Sequence, residues 1–301
     1  MEILFKESAS RGPGSPKVVG FYEPDTGSCQ YICIDEETRQ AALIDIVQEF
    51  DPASATTKFD HAQWALDYLA KEELELVWIL DTHPHADHLM AAAWLKEQTG
   101  KPMAIGEKVK EIAELWRDIY HMPESFDADR DFDRLFADGD TFKLGNLEAR
   151  VMLSPGHTLG SITYVIGDAM FAHDTFMQPD AGTARADFPG GSAAEVYDSL
   201  MAILDHPDDF RIFIGHDYGT EDREEPAWES TVKEQREGNI HIGGGVSKGE
   251  YVERREKRDA TLGLPDRMLA ALQINLHGGR HPQAESDGHN YLKIPMNKFK
   301  D

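Results

Sequence analysis

Apolar positions in the first 45 residues come in short blocks rather than at helical spacing. Val18–Tyr22 and Gln30–Ile34, rich in β-branched and aromatic residues, and the apolar run Ala41–Ile44 predict an opening antiparallel set of strands separated by turn-like segments. The period then changes. Between His61 and Lys71 the apolar residues Ala65, Leu66 and Leu69 recur at helical spacing, and Leu74–Leu80 follows as a buried-strand block that ends at Asp81. Leu89–Thr99 and Glu107–Tyr120 predict helices. Gly100-Lys-Pro102 breaks the chain between them, before a short strand at Met103–Ile105. Strand patterns resume at Thr141–Leu144, Leu147–Leu153, Ser161–Ile166 and Ala169–Ala172, the last two joined by a Gly167-Asp168 hairpin signal. Ala193–Leu204 predicts a helix and Arg211–Ile214 an apolar strand. Ala227–Arg236 and Tyr251–Arg258 predict polar helices lying on the surface.

The order is strands, helices, strands, helices. Two such halves, each a sheet covered by helices on one face, bury their remaining faces by packing sheet on sheet. The expected architecture is therefore an α/β four-layer sandwich with the loops of both halves at one edge. The 301 residues are expected to form a single domain with a C-terminal helical and loop extension from about residue 226.

Composition narrows the function classes. Net charge is −25, from 55 acidic and 30 basic residues, which opposes binding to nucleic acid or to an anionic membrane surface. No run of 18 apolar residues is present, and Met1–Lys17 lacks the apolar stretch and cleavage site of a signal peptide. Cys29 and Cys33, if they share a strand, lie roughly 13 Å apart at their α-carbons, too far for a disulfide. Free thiols and the missing leader point to the cytoplasm. An anionic small substrate would meet a repulsive field and needs a local cluster of Arg or Lys, for which the C-terminal third holds candidates.

Four strand ends carry ligand-type residues. Thr82-His83-Pro84-His85-Ala86-Asp87-His88 places three imidazoles and a carboxylate directly after a predicted strand, a set that suits a borderline divalent metal. His157 follows the strand Leu147–Leu153 in a Pro-Gly turn. Asp174 closes the block around Phe171, and His216 closes the strand Arg211–Ile214. Any one of these alone would read as a loop residue or a cap; the coincidence of four argues for one metal centre.

These motifs resemble the metallo-β-lactamase superfamily, whose T-H-x-H-x-D-H signature is matched by Thr82 to His88, with Gly156 to Thr158, Asp174 and Gly215 to Tyr218 following in order. The resemblance implies a metallo-β-lactamase-type αββα sandwich. The stretch Arg185-Ala-Asp187-Phe188-Pro-Gly-Gly191 looks like the persulfide dioxygenase branch, also called sulfur dioxygenases, in which an R-x-D-F segment follows the metal-ligating Asp. Arg258-Asp-Ala-Thr261 through Asn290-Tyr-Leu-Lys-Ile-Pro295 looks like the longer bacterial members. One departure is Thr183-Ala184, where several relatives have Cys-Gly.

Carried over by position, the resemblance implies one Fe(II) held by His83, His157 and Asp174, with glutathione persulfide and O2 as substrates. His85, Asp87, His88 and His216 are left to orient ligands or to bind a second metal. With Asp174 they also spell out a complete two-zinc site, which would activate water for a glyoxalase II-type thioester hydrolysis instead. A third class, a binding protein that keeps its metal without turnover, would have little use for seven ligand-type residues. Arg185 is a candidate to hold a substrate carboxylate or to organise the loops through Asp187. Tyr218 is a candidate substrate contact or a core residue, and Asp217 a candidate to fix the His216 ring. Lys293 and Arg280 are further candidate cations for glutathione. Kinship also leads us to expect a homodimer.

Overall fold

The computed structural model describes residues 3–299. It opens with a meander of β1 (Phe5–Ser8), β2 (Lys17–Glu23), β3 (Ser28–Asp35) and β4 (Gln40–Ile44), each antiparallel to the last. A hairpin of β5 (Val47–Asp51) and β6 (Thr56–Lys58) leads to α1 (Asp60–Lys71), β7 (Glu75–Leu80), β8 (Leu89–Met90) and α2 (Ala92–Thr99). Next come β9 (Met103–Gly106), α3 (Val109–Tyr120), α4 (Ala128–Asp131) and β10 (Arg134–Phe136). The second half runs β11 (Thr141–Leu144), β12 (Leu147–Leu153), β13 (Ile162–Ile166), β14 (Ala169–His173), α5 (Ala193–Leu204), β15 (Arg211–Ile214), β16 (Glu229–Thr231), α6 (Val232–Gly238), α7 (Lys248–Asp259) and α8 (Met268–Asn275).

Two large sheets result, ordered β1-β2-β3-β4-β7-β9-β10 and β11-β12-β13-β14-β15-β16, with a small third sheet β6-β5-β8. Strand β3 shows why they stack. All eight of its residues are buried, so both faces need cover. Ile32 and Ile34 join the core formed with α1, α2 and α3, while Tyr31 and Cys33 join the core shared with the second sheet and α5. The same alternation puts Leu43 of β4 in the helix-facing core and Ala42 and Ile44 in the inter-sheet core. The result is the expected αββα sandwich.

The short elements β1, β5, β6, α4 and β10 were not expected from the sequence, and three further differences have a plain local cause. The helix expected from Leu89 begins at Ala92, because Leu89 and Met90 pair antiparallel with Gln48 and Val47. The helix expected over Ala227–Arg236 begins at Val232, because Glu229–Thr231 pair with β15 and close the edge of the second sheet. A Thr231-x-x-Glu234 capping box marks that start. Helix α8 has no counterpart in the sequence reading. It is short and buried on most sides, so it has no polar face to set a period. Cys29 and Cys33 share β3 and are free.

Tyr31 ties the two sheets together. Its ring packs edge-on against Phe171 and Phe213, each at 5.4 Å, and its hydroxyl donates to the Ile214 carbonyl. Tyr31→Ala is expected to destabilise the fold by about 3–5 kcal/mol, read from the urea midpoint, since it leaves a cavity between the sheets.

Candidate metal centre

Five strands end at one edge of the sandwich and each delivers a polar side chain there. Asp45 follows β4, the Thr82–His88 loop follows β7, His157 follows β12, His173 and Asp174 end β14, and His216 follows β15. All except Asp87 are buried.

Asp174 is the meeting point. Its Oδ2 lies 3.3 Å from His83 Nε2, 3.5 Å from His157 Nε2 and 3.9 Å from His85 Nδ1. Its Oδ1 accepts from His216 Nδ1 at 2.6 Å. The far side of each ring is already engaged. His157 Nδ1 donates to the Arg185 carbonyl at 2.9 Å, His85 Nε2 to Asp45 Oδ1 at 3.2 Å, and His83 Nδ1 sits 3.0 Å from Thr82 Oγ1. A carbonyl and a carboxylate can only accept, so the His157 and His85 tautomers are set with their lone pairs turned toward Asp174. His83 Nε2 and His85 Nδ1 are buried with no hydrogen-bond partner. Buried nitrogens left unpaired beside a carboxylate are what a metal ion would satisfy.

Titration behaviour fits this role. Burial, opposed by Asp174, pushes His157 down to about 4. Burial, together with His83 and His88, holds His85 well below the usual imidazole range. Burial works against ionisation of Asp174, but His216 and His83 override it and hold the carboxyl well below its ordinary value. His157 and His85 are thus neutral and Asp174 is ionised, the forms that ligate.

The remaining residues of the His motif gather alongside. His85, Asp87, His88 and His216 can each offer one atom within 4.8 Å of the others. Here the donors are unequally engaged. His85 Nδ1 and His88 Nε2 are buried without a hydrogen-bond partner, whereas His216 Nε2 lies 2.6 Å from Asp87 Oδ2, and the Ser28 hydroxyl lies 3.1 Å from both His216 Nε2 and His88 Nδ1. His216 therefore sits between two carboxylates; burial disfavours its charge, but Asp174 and Asp87 raise its pKa well above the ordinary value.

Sequence reasoning missed three contributors. Asp45 ion-pairs with His173 and accepts from His85 and from the Thr82 N–H. Both Asp45 and His173 adopt positive φ, 51° and 50°, a conformation costly for non-glycine residues that persists where the surroundings impose it. Asp45 ends an apolar strand just as Asp174 does, so the same signal was present. His173 lies close enough to share a metal with His83, His85 and Asp174, but its Nε2 faces Asp45, which places it behind Asp174 rather than in front. Asn275 of α8 donates to the His85 and His88 carbonyls at 2.8 Å each and pins the motif loop. No local pattern could reveal that contact.

Residues 50–216, which include every one of the predicted metal-site histidines and Asp174, match the metallo-β-lactamase superfamily model. The chain belongs to the metallo-β-lactamase superfamily. It is 50% identical over 94% of its length to a β-lactamase hydrolase-like protein of Xylella fastidiosa, and it spans 65% of that protein's length. It is 38% identical over 94% of its length, and 98% of the relative's, to a glyoxylase B2 of Dictyostelium discoideum. Among solved structures it resembles ETHE1 from Myxococcus xanthus, with a TM-score of 0.69 and 26% identity over 92% of this chain and 100% of that one.

The superfamily centre opens onto a cavity of about 630 Å³. His157, Asp174 and His216 line its floor, and Met177, Phe188, Ile240, Leu262 and Pro265 give its wall an apolar character. The candidate substrate residues fare unequally. Arg185 lines the cavity, but its fork is filled. It pairs bidentately with Asp187 at 2.6 and 2.7 Å and donates to the Gly263 carbonyl at 2.8 Å, so it clamps loops together rather than offering itself to a carboxylate. Asp217 does not touch the His216 ring; it pairs with Arg223 and caps the Gly219 and Ala227 N–H groups. Tyr218 is no core residue. It is 67% exposed, stacks on His216 at 5.9 Å and lines the cavity. Lys293 and Arg280 lie away from the cavity, bound to the His121 carbonyl and to Asp131. No helix among the described residues is long and apolar enough to cross a membrane.

Gly215 allows this packing. A Cβ there would fall 2.2 Å from Asp174 Oδ1 and 2.7 Å from His173 Nδ1. Gly215→Ala is expected to weaken divalent-metal binding by roughly 10–100-fold, measured by competition with a chromogenic chelator. The depressed His157 pKa of about 4 keeps its lone pair free well below the ordinary imidazole value. Bound metal is therefore expected to survive dialysis at about pH 5.5; release with a midpoint near 6.5 would contradict this account.

Proposed function

We propose that this protein is a persulfide dioxygenase. Glutathione persulfide, O2 and water would give glutathione and sulfite at one Fe(II) held by His83, His157 and Asp174. The observation that carries the reading is the convergence of His83 Nε2 and His157 Nε2 on Asp174 Oδ2, at 3.3 and 3.5 Å. In the second group His216 has both ring nitrogens engaged, by Asp174 on one side and by Asp87 and Ser28 on the other, while His85 Nδ1 and His88 Nε2 are unpaired. A two-His, one-carboxylate face leaves open positions on a ferrous ion. The likeness to ETHE1 over nearly the whole of both chains, and the R-x-D-F segment at Arg185 to Phe188, support this branch of the superfamily.

Iron, when bound, would supply the redox chemistry with O2 that zinc, lacking an accessible second oxidation state, does not. The chain's own residues set the conditions. The Arg185 carbonyl and Thr82 hydroxyl fix the ring orientation of His157 and His83. His216 holds a proton at Nδ1 against Asp174 Oδ1, which keeps that oxygen engaged and turns the other toward the imidazoles. Phe188, Met177 and Leu262 keep the approach to the metal apolar and limit water.

The second reading is a glyoxalase II-type hydroxyacylglutathione hydrolase with two zinc ions. The grouping of His85, Asp87, His88 and His216 within 4.8 Å favours it, as does the glyoxylase B2 relative. Metal analysis by mass spectrometry on protein purified without added metal is expected to find about one iron per chain, with oxygen uptake on glutathione persulfide. Asp174→Ala is expected to lose iron and oxygen uptake together. Oxygen uptake retained in that variant would sink the assignment of the ligands; two zinc ions per chain with thioester hydrolysis and no oxygen uptake would make the protein a hydrolase.

A further inference from the structure

Behind the second donor group runs a chain of hydrogen bonds that has a direction. Glu23 and Ser28 are buried, and Thr26 between them is half-buried. Glu23 Oε1 accepts from the Asp25 N–H and Oε2 from the Thr26 N–H, each at 2.8 Å, and Oε2 also accepts from the Thr26 hydroxyl. Backbone N–H groups can only donate, which fixes the Glu23 carboxylate as the acceptor. The Thr26 hydroxyl has one proton and uses it there. Its oxygen therefore accepts from the Ser28 hydroxyl, 2.7 Å away.

Ser28 is held in place by the backbone. It forms a β-bridge with His216, and the next residue, Cys29, donates its N–H to the Gly215 carbonyl at 2.7 Å. With its one proton turned to Thr26, Ser28 Oγ presents only lone pairs to His88 Nδ1 and His216 Nε2, each 3.1 Å away. Both nitrogens must then carry hydrogen. Asp87 agrees with this polarity, since its carboxylate oxygens lie 3.4 Å from His88 Nδ1 and 2.6 Å from His216 Nε2. The consequences for the two rings differ. His88 keeps a lone pair at Nε2, which is buried and unpaired. His216 keeps none, because Nδ1 donates to Asp174 Oδ1 at 2.6 Å and Nε2 is engaged by Ser28 and Asp87.

A nitrogen that carries hydrogen cannot ligate, so the group of His85, Asp87, His88 and His216 lacks one of its four donors. We propose that Glu23, acting through Thr26 and Ser28, withholds His216 from a second metal ion and so keeps this centre to one ion. Glu23, Thr26 and Ser28 are positioning residues, and none of them lines the cavity over the metal centre. Thr26 lies instead on a separate cavity of about 340 Å³, which Asp87 and Tyr218 also line. The proposal rests on the one-metal reading above and names what enforces it.

The test is zinc titration of the full chain, stripped of metal, in competition with a chromogenic chelator that resolves a first and a second binding event. Thr26→Val removes the oxygen that receives the Ser28 proton with little change of shape, and frees that proton to turn toward His216. Wild type is expected to bind one zinc ion tightly and a second one weakly. Thr26→Val is expected to bind the second ion roughly 10–100-fold more tightly than wild type, with the first unchanged, the range over which groups behind a metal ligand tune affinity. Thr26→Ser keeps the hydroxyl and is expected to match wild type. Ser28→Ala removes the acceptor at the imidazoles themselves and is expected to strengthen the second event as Thr26→Val does. Two equally tight zinc ions in wild type, a second event unmoved in Thr26→Val or in Ser28→Ala, or a Thr26→Ser that behaves like Thr26→Val overturns the proposal. Oxygen uptake judges the dioxygenase reading separately: a protein without it that still gains a second zinc ion in Thr26→Val would lose that reading and keep this one.

Discussion

The fold at the loop edge depends on one buried anion. Asp174 has its carboxyl held ionised within the protein, where an uncompensated charge would cost several kcal/mol. It is tolerated because one oxygen meets His216 and the other faces three imidazoles. Those partners come from β7, β12 and β15, so the two sheets must close on each other before the charge is satisfied. Gly215 completes the fit by leaving no side chain where the carboxylate lies.

A second ionic layer supports the first. Asp45 and His173, both in a left-handed backbone conformation, pair with each other behind the cluster, and Asp45 also fixes His85. Burial and the neighbouring Asp45 push the Asp81 carboxyl well above its usual range, so these two buried carboxyls do not both carry charge. Strain and charge burial here are costs that rigid positioning of the imidazoles offsets.

The C-terminal third is part of the centre. Asn275 of α8 holds the His-motif loop, Asp259 of α7 accepts from the Ala186 N–H, and the Gly263 carbonyl receives Arg185. These three contacts link residues more than 70 positions apart. They explain why the apolar wall and the cationic wall of the cavity both include residues from beyond 240, and why a chain so acidic can present local positive charge to a ligand.

Period and punctuation were enough to determine the four-layer order, because each buried face must alternate at 2.0 or 3.6 residues. They located Ala193–Leu204 and Arg211–Ile214 at the bounds the structure has. Four ligand-bearing strand ends were equally legible, since a strand that stops at His or Asp advertises itself locally. Tertiary structure alone decided the rest. Leu89 and Met90 became a strand because a distant strand was there to pair with them. Arg185 and Asp217 turned inward to partners, whereas Arg258, at the end of a polar helix, lines the cavity without an ion pair among the described residues. Whether a charged side chain is satisfied depends on what packs beside it in space, and no spacing along the chain carries that information.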